Sequence, residues 1–404
     1  LAQAARRAKR RGAPKLSTPC PSRLVLMRSL QIPLFLLVLA NAAYYVFTLL
    51  CVLLFAGRKE PQPAATASVS VLKAVKGLEF GARGALESFL SQDYPKNYRV
   101  VFALADPQDP ALPLIRQLAA DHPEREVRLA VARERLGPNE KMSNLAAALP
   151  HAEGELIALS DADVRSRPDW LRRMVAPFCD PQVGLVTCLY RAGEAPNLWS
   201  RLEGLTIASD LMPQVMVAER LEGISFGLGA SICVRRKALE AIGGFAALAD
   251  YLADDYMLGN RIHQAGWRLV LLPQVVDLLF GPQRARDFFL HQLRWARTYR
   301  TCRPAGYFAT LITHGIIWGP LFLAASGFSA LGWAAAGGLA LLRAGVFVAS
   351  DRLFIKGGRT LADLALLPLK DLLAFGVFVA SFAGRRVRWR EKTFRLDGEG
   401  RLRP

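Results

Sequence analysis

From Ser68 to about Ala192, short runs rich in β-branched residues (Val69 to Val75, Arg99 to Leu104, Val127 to Val131, Leu156 to Leu159 and Val183 to Leu189) alternate with helix-patterned stretches such as Leu112 to Ala120 and Asp169 to Phe178. Runs of this length predict strands, and the stretches between them predict helices. Strand and helix in alternation imply an α/β domain, a mainly parallel sheet with helices on both faces. In such sheets ligands bind beyond the carboxyl ends of the strands. Asp106 ends the second run, and Asp161 with Asp163 ends the fourth, so one crevice is expected to hold all three.

Other apolar runs are too long for strands. Ile32 to Phe55 carries no charge over a bilayer-spanning length, and Tyr307 to Ala349 has room for a tight helical hairpin, broken near Gly327 and interrupted only by His314 and Arg343. A cleaved signal peptide is a poor alternative for the first run, which is too long and leads into Arg58, Lys59 and a Pro-rich linker with no small-residue cleavage site. The last apolar segment, Leu361 to Ala383, contains Asp363, Pro368, Lys370 and Asp371, which leaves only Leu372 to Ala383 free of charge. That is short for a span, so the segment is expected to be interfacial or re-entrant. The plan is a basic arm (1–30), a transmembrane segment (31–56), a linker (57–67), the α/β domain (68–303), a transmembrane hairpin (304–350), the interfacial or re-entrant segment (351–384) and a basic tail (385–404).

Charge changes the picture in one respect. A formal net charge of +18 in a soluble protein would suggest nucleic acid. Here Arg6, Arg7, Lys9, Arg10 and Arg11 precede the first apolar run, and Arg385, Arg386, Arg388, Arg390 and Lys392 follow the last. Clusters beside apolar segments favour an anionic lipid surface, at about 1 kcal/mol per basic residue. The expected partner is therefore the bilayer, with no nucleic acid. The tail is placed on the cytosolic side with the α/β domain; by charge alone the amino-terminal arm would argue for the reverse, and its charge is given little weight. The six cysteines (Cys20, Cys51, Cys179, Cys188, Cys233 and Cys302) show no paired metal spacing and read as reduced and buried. An Ala- and Arg-rich composition suggests a bacterium, hence its inner membrane. Oligomeric state is not legible.

Candidate chemistry lies in the carboxylates. Two aspartates closing a strand suit a hard divalent cation, Mg2+ or Mn2+, that binds through one or two carboxylates and substrate phosphates. That points to a nucleotide-sugar donor with a diphosphate leaving group. An alcohol acceptor is a weak nucleophile and needs a general base, for which Asp255, with Asp254 beside it, is the candidate. Lys141 is a cation that suits donor phosphate.

The segments Val71 to Gly77 (VLKAVKG), Ser91 to Tyr94 (SQDY), Ala105 to Pro110 (ADPQDP), Gly137 to Asn144 (GPNEKMSN), Gly184 to Tyr190 (GLVTCLY), Ala253 to Tyr256 (ADDY) and His291 to Trp295 (HQLRW) together resemble the ceramide glucosyltransferases of glycosyltransferase family 21. That family has the GT-A fold and includes bacterial hopanoid-biosynthesis glycosyltransferases. The resemblance covers roughly Val69 to Arg303 and rests on the order and spacing of the motifs. It implies that Asp106 lies near the donor uridine, Asp161 in the metal and diphosphate region, Asp255 at the base position, and Arg294 with Trp295 near diphosphate and acceptor. His291 stands where Gln or Arg is usual in the ceramide enzymes and leaves the acceptor open. Asp163 completes an Asp-x-Asp that some relatives lack. The implied reaction is a single inverting displacement from UDP-glucose to a membrane lipid such as ceramide; the alternative within the resemblance is a hopanoid acceptor with UDP-N-acetylglucosamine.

Structural readings compete at each position. Asp161 and Asp163 could cap a helix beginning near Pro168, and Asp254 and Asp255 could cap the helix Tyr256 to Gln264. Arg294 and Trp295 could be a stacked surface pair, His291 a packing residue, Asp106 with Pro107 a turn, and Lys141 a solvated charge. Leu198 to Leu228 carries a helical apolar pattern that either closes the core or admits a lipid headgroup, with core preferred. A processive polysaccharide synthase would require a larger helical bundle, and a non-catalytic scaffold would predict loss of the aspartates, all of which are present.

Overall fold

The computed structural model describes residues 21–58, 67–357, 360–389 and 392–403, with residues 21–28 described by backbone alone. The basic cluster before residue 21, Cys20 and most of the linker fall outside the described residues. Helix α1 (Pro21–Ala56) precedes β1 (Val69–Ala74), α2 (Ala82–Glu87), β2 (Arg99–Leu104), α3 (Leu112–Asp121), β3 (Glu126–Val131), α4 (Glu140–Ala148), β4 (Leu156–Leu159), β5 (Val164–Arg165), α5 (Trp170–Val175) and β6 (Val183–Glu194). Then come α6 (Leu198–Thr206), a π-helical turn (Ile207–Leu211), α7 (Met212–Glu222), β7 (Ile232–Arg235), α8 (Arg236–Ala241), α9 (Asp254–Gln264) and β8 (Arg268–Leu279). Helices α10 (Ala285–Cys302), α11 (Pro304–Ala309), α12 (Gly315–Ala325), α13 (Ala330–Ser350) and α14 (Thr360–Ser381) follow, and β9 (Arg386–Trp389), β10 (Lys392–Leu396) and β11 (Leu402–Arg403) form a small separate sheet.

The main sheet runs β3-β2-β1-β4-β7-β6-β8-β5. Its first half is parallel, as the alternation of runs requires. Beyond β4 it is mixed, because β7 lies antiparallel to both β4 and β6. The helical excursion from Leu198 to Glu222 brings the chain back to the sheet at the end where β6 left it, so β7 runs against β6. The expectation of a mainly parallel sheet holds, since four of its seven strand pairs are parallel, β6 with β8 among them.

One core fills the space between sheet and helices, and it does not stop at the domain. Cys51, Val52 and Phe55 from the end of α1 belong to it, as does Phe354 beyond α13. Upstream, α1 packs along α12 and α13, and Val38, Tyr45, Phe322, Leu339 and Val346 form a second cluster between them. Most of the stripe from Leu198 packs inside, including Leu202, Leu205, Ile207, Met212 and Met216, while Leu198 itself is exposed. The helix is not continuous there: the π turn carries Ser209 and Asp210.

Among the described residues three helices are long and apolar enough to cross a membrane, Ser29–Ala56, Ala330–Ile355 and Thr360–Ser381, and the pair Pro304–Thr313 and Gly315–Ala325, bent by 49°, would make a fourth. The break between α12 and α13 falls at Gly327, whose φ of +66° sets the turn. Helix α14 departs from the expected interfacial segment, since it runs unbroken for 22 residues. Its charges do not bar a span because Lys370 and Asp371 turn inward and pair with Arg343 and Asp210. The basic tail also differs from expectation: it folds back as the small sheet, with Val387, Leu396 and Leu402 packed on Leu252. Cys51, Cys188 and Cys233 are buried and unpaired, whereas Cys179 is exposed.

Candidate active site

The carboxyl ends of β1 and β4 open onto a cavity of about 1150 Å³. Its walls carry Lys141, Asp161, Asp163, Asp254, Asp255, His291, Arg294 and Trp295, so eight of the nine candidate residues share one space. The ninth, Asp106, does not line it. It is exposed, and its Oδ1 accepts the Gln108 N–H at 2.8 Å in a local turn. Its neighbour Asp109 is the buried member of that motif, accepting the Gly77 N–H at 2.9 and 3.0 Å and fixing the loop after β1.

Lys141 organises the acids. It lies in the first turn of α4, whose amino end is set by Asn139 accepting the Met142 N–H at 3.1 Å. The same Asn139 donates to Tyr251 O at 2.8 Å and to Asp254 Oδ1 at 3.4 Å, which ties the helix to the loop entering α9. Lys141 Nζ then reaches Asp161 Oδ1 at 2.5 Å and Asp254 Oδ2 at 3.3 Å. Burial works against its charge, but Asp161 and Asp254 outweigh that penalty and raise its pKa above the ordinary lysine value.

Asp255 is held by the backbone. Its Oδ2 accepts the Gly229 N–H at 2.8 Å and its Oδ1 the Tyr256 N–H at 2.8 Å. A Cβ at Gly229 would stand 2.8 Å from Asp255 Oδ2, so only glycine allows this approach. Burial, then the charge of Asp254, push the Asp255 pKa up to about 6, with Lys141 and the two N–H groups opposing. Neither Asp254 nor Asp255 caps α9, whose N-cap position is Ala253 and has no side-chain cap. Asp161 and Asp163 likewise make no cap, since the N-cap position of α5 is Asp169.

Asp163 is pushed up to about 7 by burial and by Asp161 and Glu79. Lys73, fully buried on β1, donates to Asp161 O at 2.8 Å and is lowered to about 7 by burial despite the two aspartates. Among the described residues no group of three or more His, Cys, Asp or Glu could enclose a metal ion. An all-protein cage is thus absent, but the crowding of Asp161, Asp163 and Glu79 is the surplus of negative charge that a divalent cation sharing its ligands with phosphate would relieve, and the oxygen donors suit Mg2+ or Mn2+.

Helix α10 supplies the opposite wall. His291 packs against Trp295 with ring centroids 4.7 Å apart and the rings tilted by 59°, and its Nδ1 meets Glu203 Oε1 on α6. Glu203 is fully buried, takes Gln292 Nε2 at 3.5 Å, and leaves Oε2 without a partner. No local signal in the sequence marks Glu203. The far end of the cavity is lined by His314, Arg343, Asp371 and Phe378 of the membrane helices.

Residues 33–402 match the family model for glycosyl transferase family 21. The chain belongs to glycosyl transferase family 21. Within this family breadth it is 25% identical over 213 residues to ceramide glucosyltransferase 1 of Caenorhabditis elegans, covering 52% of this chain and 45% of that one. It is 29% identical over 232 residues to the β-monoglucosyldiacylglycerol synthase of Synechocystis, covering 56% of this chain and 47% of that one. The chain thus spans about half the length of these curated relatives. Among solved structures it is similar to a mannosyltransferase from Pyrobaculum calidifontis in complex with GDP-mannose and Mn2+, at TM-score 0.53 and 21% identity over 90% of this chain and all of that one. That likeness shows the GT-A fold.

Proposed function

We infer that this family 21 protein transfers one sugar from a UDP-sugar, UDP-glucose first, to the hydroxyl of a membrane lipid such as ceramide, with inversion at the anomeric carbon. The observation that carries the reading is a single cavity walled at one end by the acids on the sheet and at the other by the apolar helices. A water-soluble donor and a lipid acceptor need such a meeting place. The family relatives act, by their names, on ceramide and on diacylglycerol.

The Asp255 carboxylate takes the proton of the lipid hydroxyl, whose oxygen then attacks the anomeric carbon. The bond from that carbon to the diphosphate oxygen breaks, and its electron pair leaves with UDP. Lys141 and Arg294 line the cavity and face the charge that develops there. Asp161 and Asp163 would hold a Mg2+ or Mn2+ ion, which when bound would supply positive charge to neutralise the leaving diphosphate. With a pKa of about 6, Asp255 is ionised at neutral pH yet basic enough to accept a proton. The catalytic domain then belongs on the cytoplasmic face, where nucleotide sugars are made. Diacylglycerol is the second acceptor, supported by the Synechocystis relative, and a hopanoid with UDP-N-acetylglucosamine the third, motivated by His291.

The test is transfer of radiolabelled sugar from UDP-glucose and UDP-N-acetylglucosamine to ceramide, diacylglycerol and bacteriohopanetetrol, with and without Mn2+. Product on one lipid, lost in Asp161→Asn and Asp255→Asn, supports the reading. Hydrolysis of the donor without any lipid product would overturn it.

A further inference from the structure

Glu140, in the first turn of α4, is surrounded by more positive charge than one carboxylate can use. It takes Lys76 Nζ at 2.7 Å, Arg135 Nη2 at 2.9 Å and Lys392 Nζ at 3.3 Å. Lys76, Glu140 and Lys392 all line the cavity described above. Lys76 and Lys392 remain 45% and 57% exposed in their side chains, and ion pairs that open to water are worth only ~0–1 kcal/mol, so a stronger anion readily replaces the acid.

Lys392 is held there by construction. The small C-terminal sheet is hydrogen-bonded to the loop that enters α9: Leu402 N donates to Asp250 O at 2.7 Å, and Leu252 N to Gly400 O at 3.4 Å. From the other side α10 grips the approach to β9, with Arg297 donating to Ala383 O at 2.9 Å and Arg300 to Gly384 O at 2.8 Å. The same two segments carry Asp254, Asp255 and Arg294. A basic strand serving only the lipid surface would need none of these anchors. Clustered ammonium groups in a cavity suit a compact, multiply charged oxyanion.

We propose that the C-terminal sheet is a wall of the donor pocket and that Lys392 and Lys76 exchange Glu140 for the phosphates of the nucleotide donor. The proposal rests on the nucleotide-sugar reading and extends it to residues outside the sheet-end acids. Until the donor arrives, Glu140 keeps the two ammonium groups from repelling each other.

Calorimetric titration of the full chain in detergent with UDP and with inorganic pyrophosphate, and saturation-transfer NMR with uridine, tests it. Lys392→Ala is expected to weaken UDP and pyrophosphate about tenfold, or ~1.4 kcal/mol, and to leave uridine unchanged. Lys392→Arg is expected to stay within about threefold of wild type. Equal UDP and pyrophosphate affinity in wild type and Lys392→Ala overturns the proposal, as does a loss that uridine shares. A variant that spares both phosphate ligands and instead binds phosphatidylglycerol vesicles more weakly makes the sheet a lipid-facing element and also overturns it. If wild type binds pyrophosphate but not UDP, the UDP-donor reading fails, while the Lys392 dependence of pyrophosphate still decides the cation site.

Discussion

At the membrane end of the cavity Arg343, Lys370, Asp210 and Asp371 close on one another, whereas at the sheet end Asp161, Asp163, Asp254 and Asp255 outnumber the two lysines beside them, Lys73 and Lys141. In the first group each acid meets both bases: Asp371 takes Arg343 at 2.7 Å and Lys370 at 2.5 Å, and Asp210 takes Arg343 at 2.5 Å and Lys370 at 2.7 Å. Arg343 also donates to Ser209 O at 2.7 Å. Nothing is left over, and the network joins the π turn of the globular domain to α13 and α14. In the second group Asp163 and Asp255 sit well above the ordinary carboxylate range. A balanced cluster in an apolar setting holds parts together. An unbalanced one is poised to take up a proton or a cation.

The contrast can be broken by substitution, beginning with the largest effect. Asp255→Asn should cut sugar transfer by about 10² to 10⁴-fold while leaving the melting temperature within a few degrees, because a general base is lost and its shape retained. A fall in melting temperature matching the loss of activity would make Asp255 a structural acid instead. Arg343→Met should act the other way. It strips buried Asp371 and half-buried Asp210 of a shared partner and should cost about 3–5 kcal/mol, read as a lower thermal midpoint in detergent. An unchanged midpoint would remove the network from the account of how domain and helices are joined.

The pH dependence sharpens the same comparison. Asp255 must be deprotonated to act and its pKa is raised to about 6, so kcat should be full above that value and fall about tenfold per pH unit below it. An acidic limb near pH 4 would show that Asp255 is not the group that limits the rate. The smallest effect is expected from Asn139→Ala, which removes the cap of α4 and its link to Asp254. About 1 kcal/mol of stability should go. The transfer rate should fall by more than that loss of fold accounts for, since Lys141 is freed to move, and a rate loss no larger than the loss of folded protein would assign Asn139 to stability alone.

Where a feature is local, the sequence was enough. Strands such as Leu156 to Leu159 are short, apolar and β-rich, and Asp161 and Asp163 follow one where a parallel sheet opens, so their place at the cavity was legible, whereas Asp255, in the first turn of a helix, stood out through the order of the motifs. Asp106 has the same local look, but its side chain turns into its own loop, and such a turn differs from a ligand only in orientation. The reversal of β7 could not be read, because strand direction depends on where a long helical excursion returns. Glu203, and Asp210 with Arg343 and Lys370, were missed because their partners lie 88 to 160 residues away. The tail was misjudged for a related reason: strands as short as Arg386–Trp389, rich in arginine, look like a lipid-facing cluster until Leu252 is found beneath them.

Helix α1 has a consequence for the order in which the protein is made. Phe55 and Phe354 lie ring to ring, their centroids 5.9 Å apart, and both belong to the core that also holds the sheet. Ribosomes deliver these two side chains nearly 300 residues apart, and domains tend to fold from the amino end as they emerge. Here the globular part has its first apolar contribution from a helix long and apolar enough to cross a bilayer and its last from a segment that follows α13. The half-made domain therefore waits at the membrane with an open seam, and a soluble fragment beginning at Val69 would carry that seam permanently.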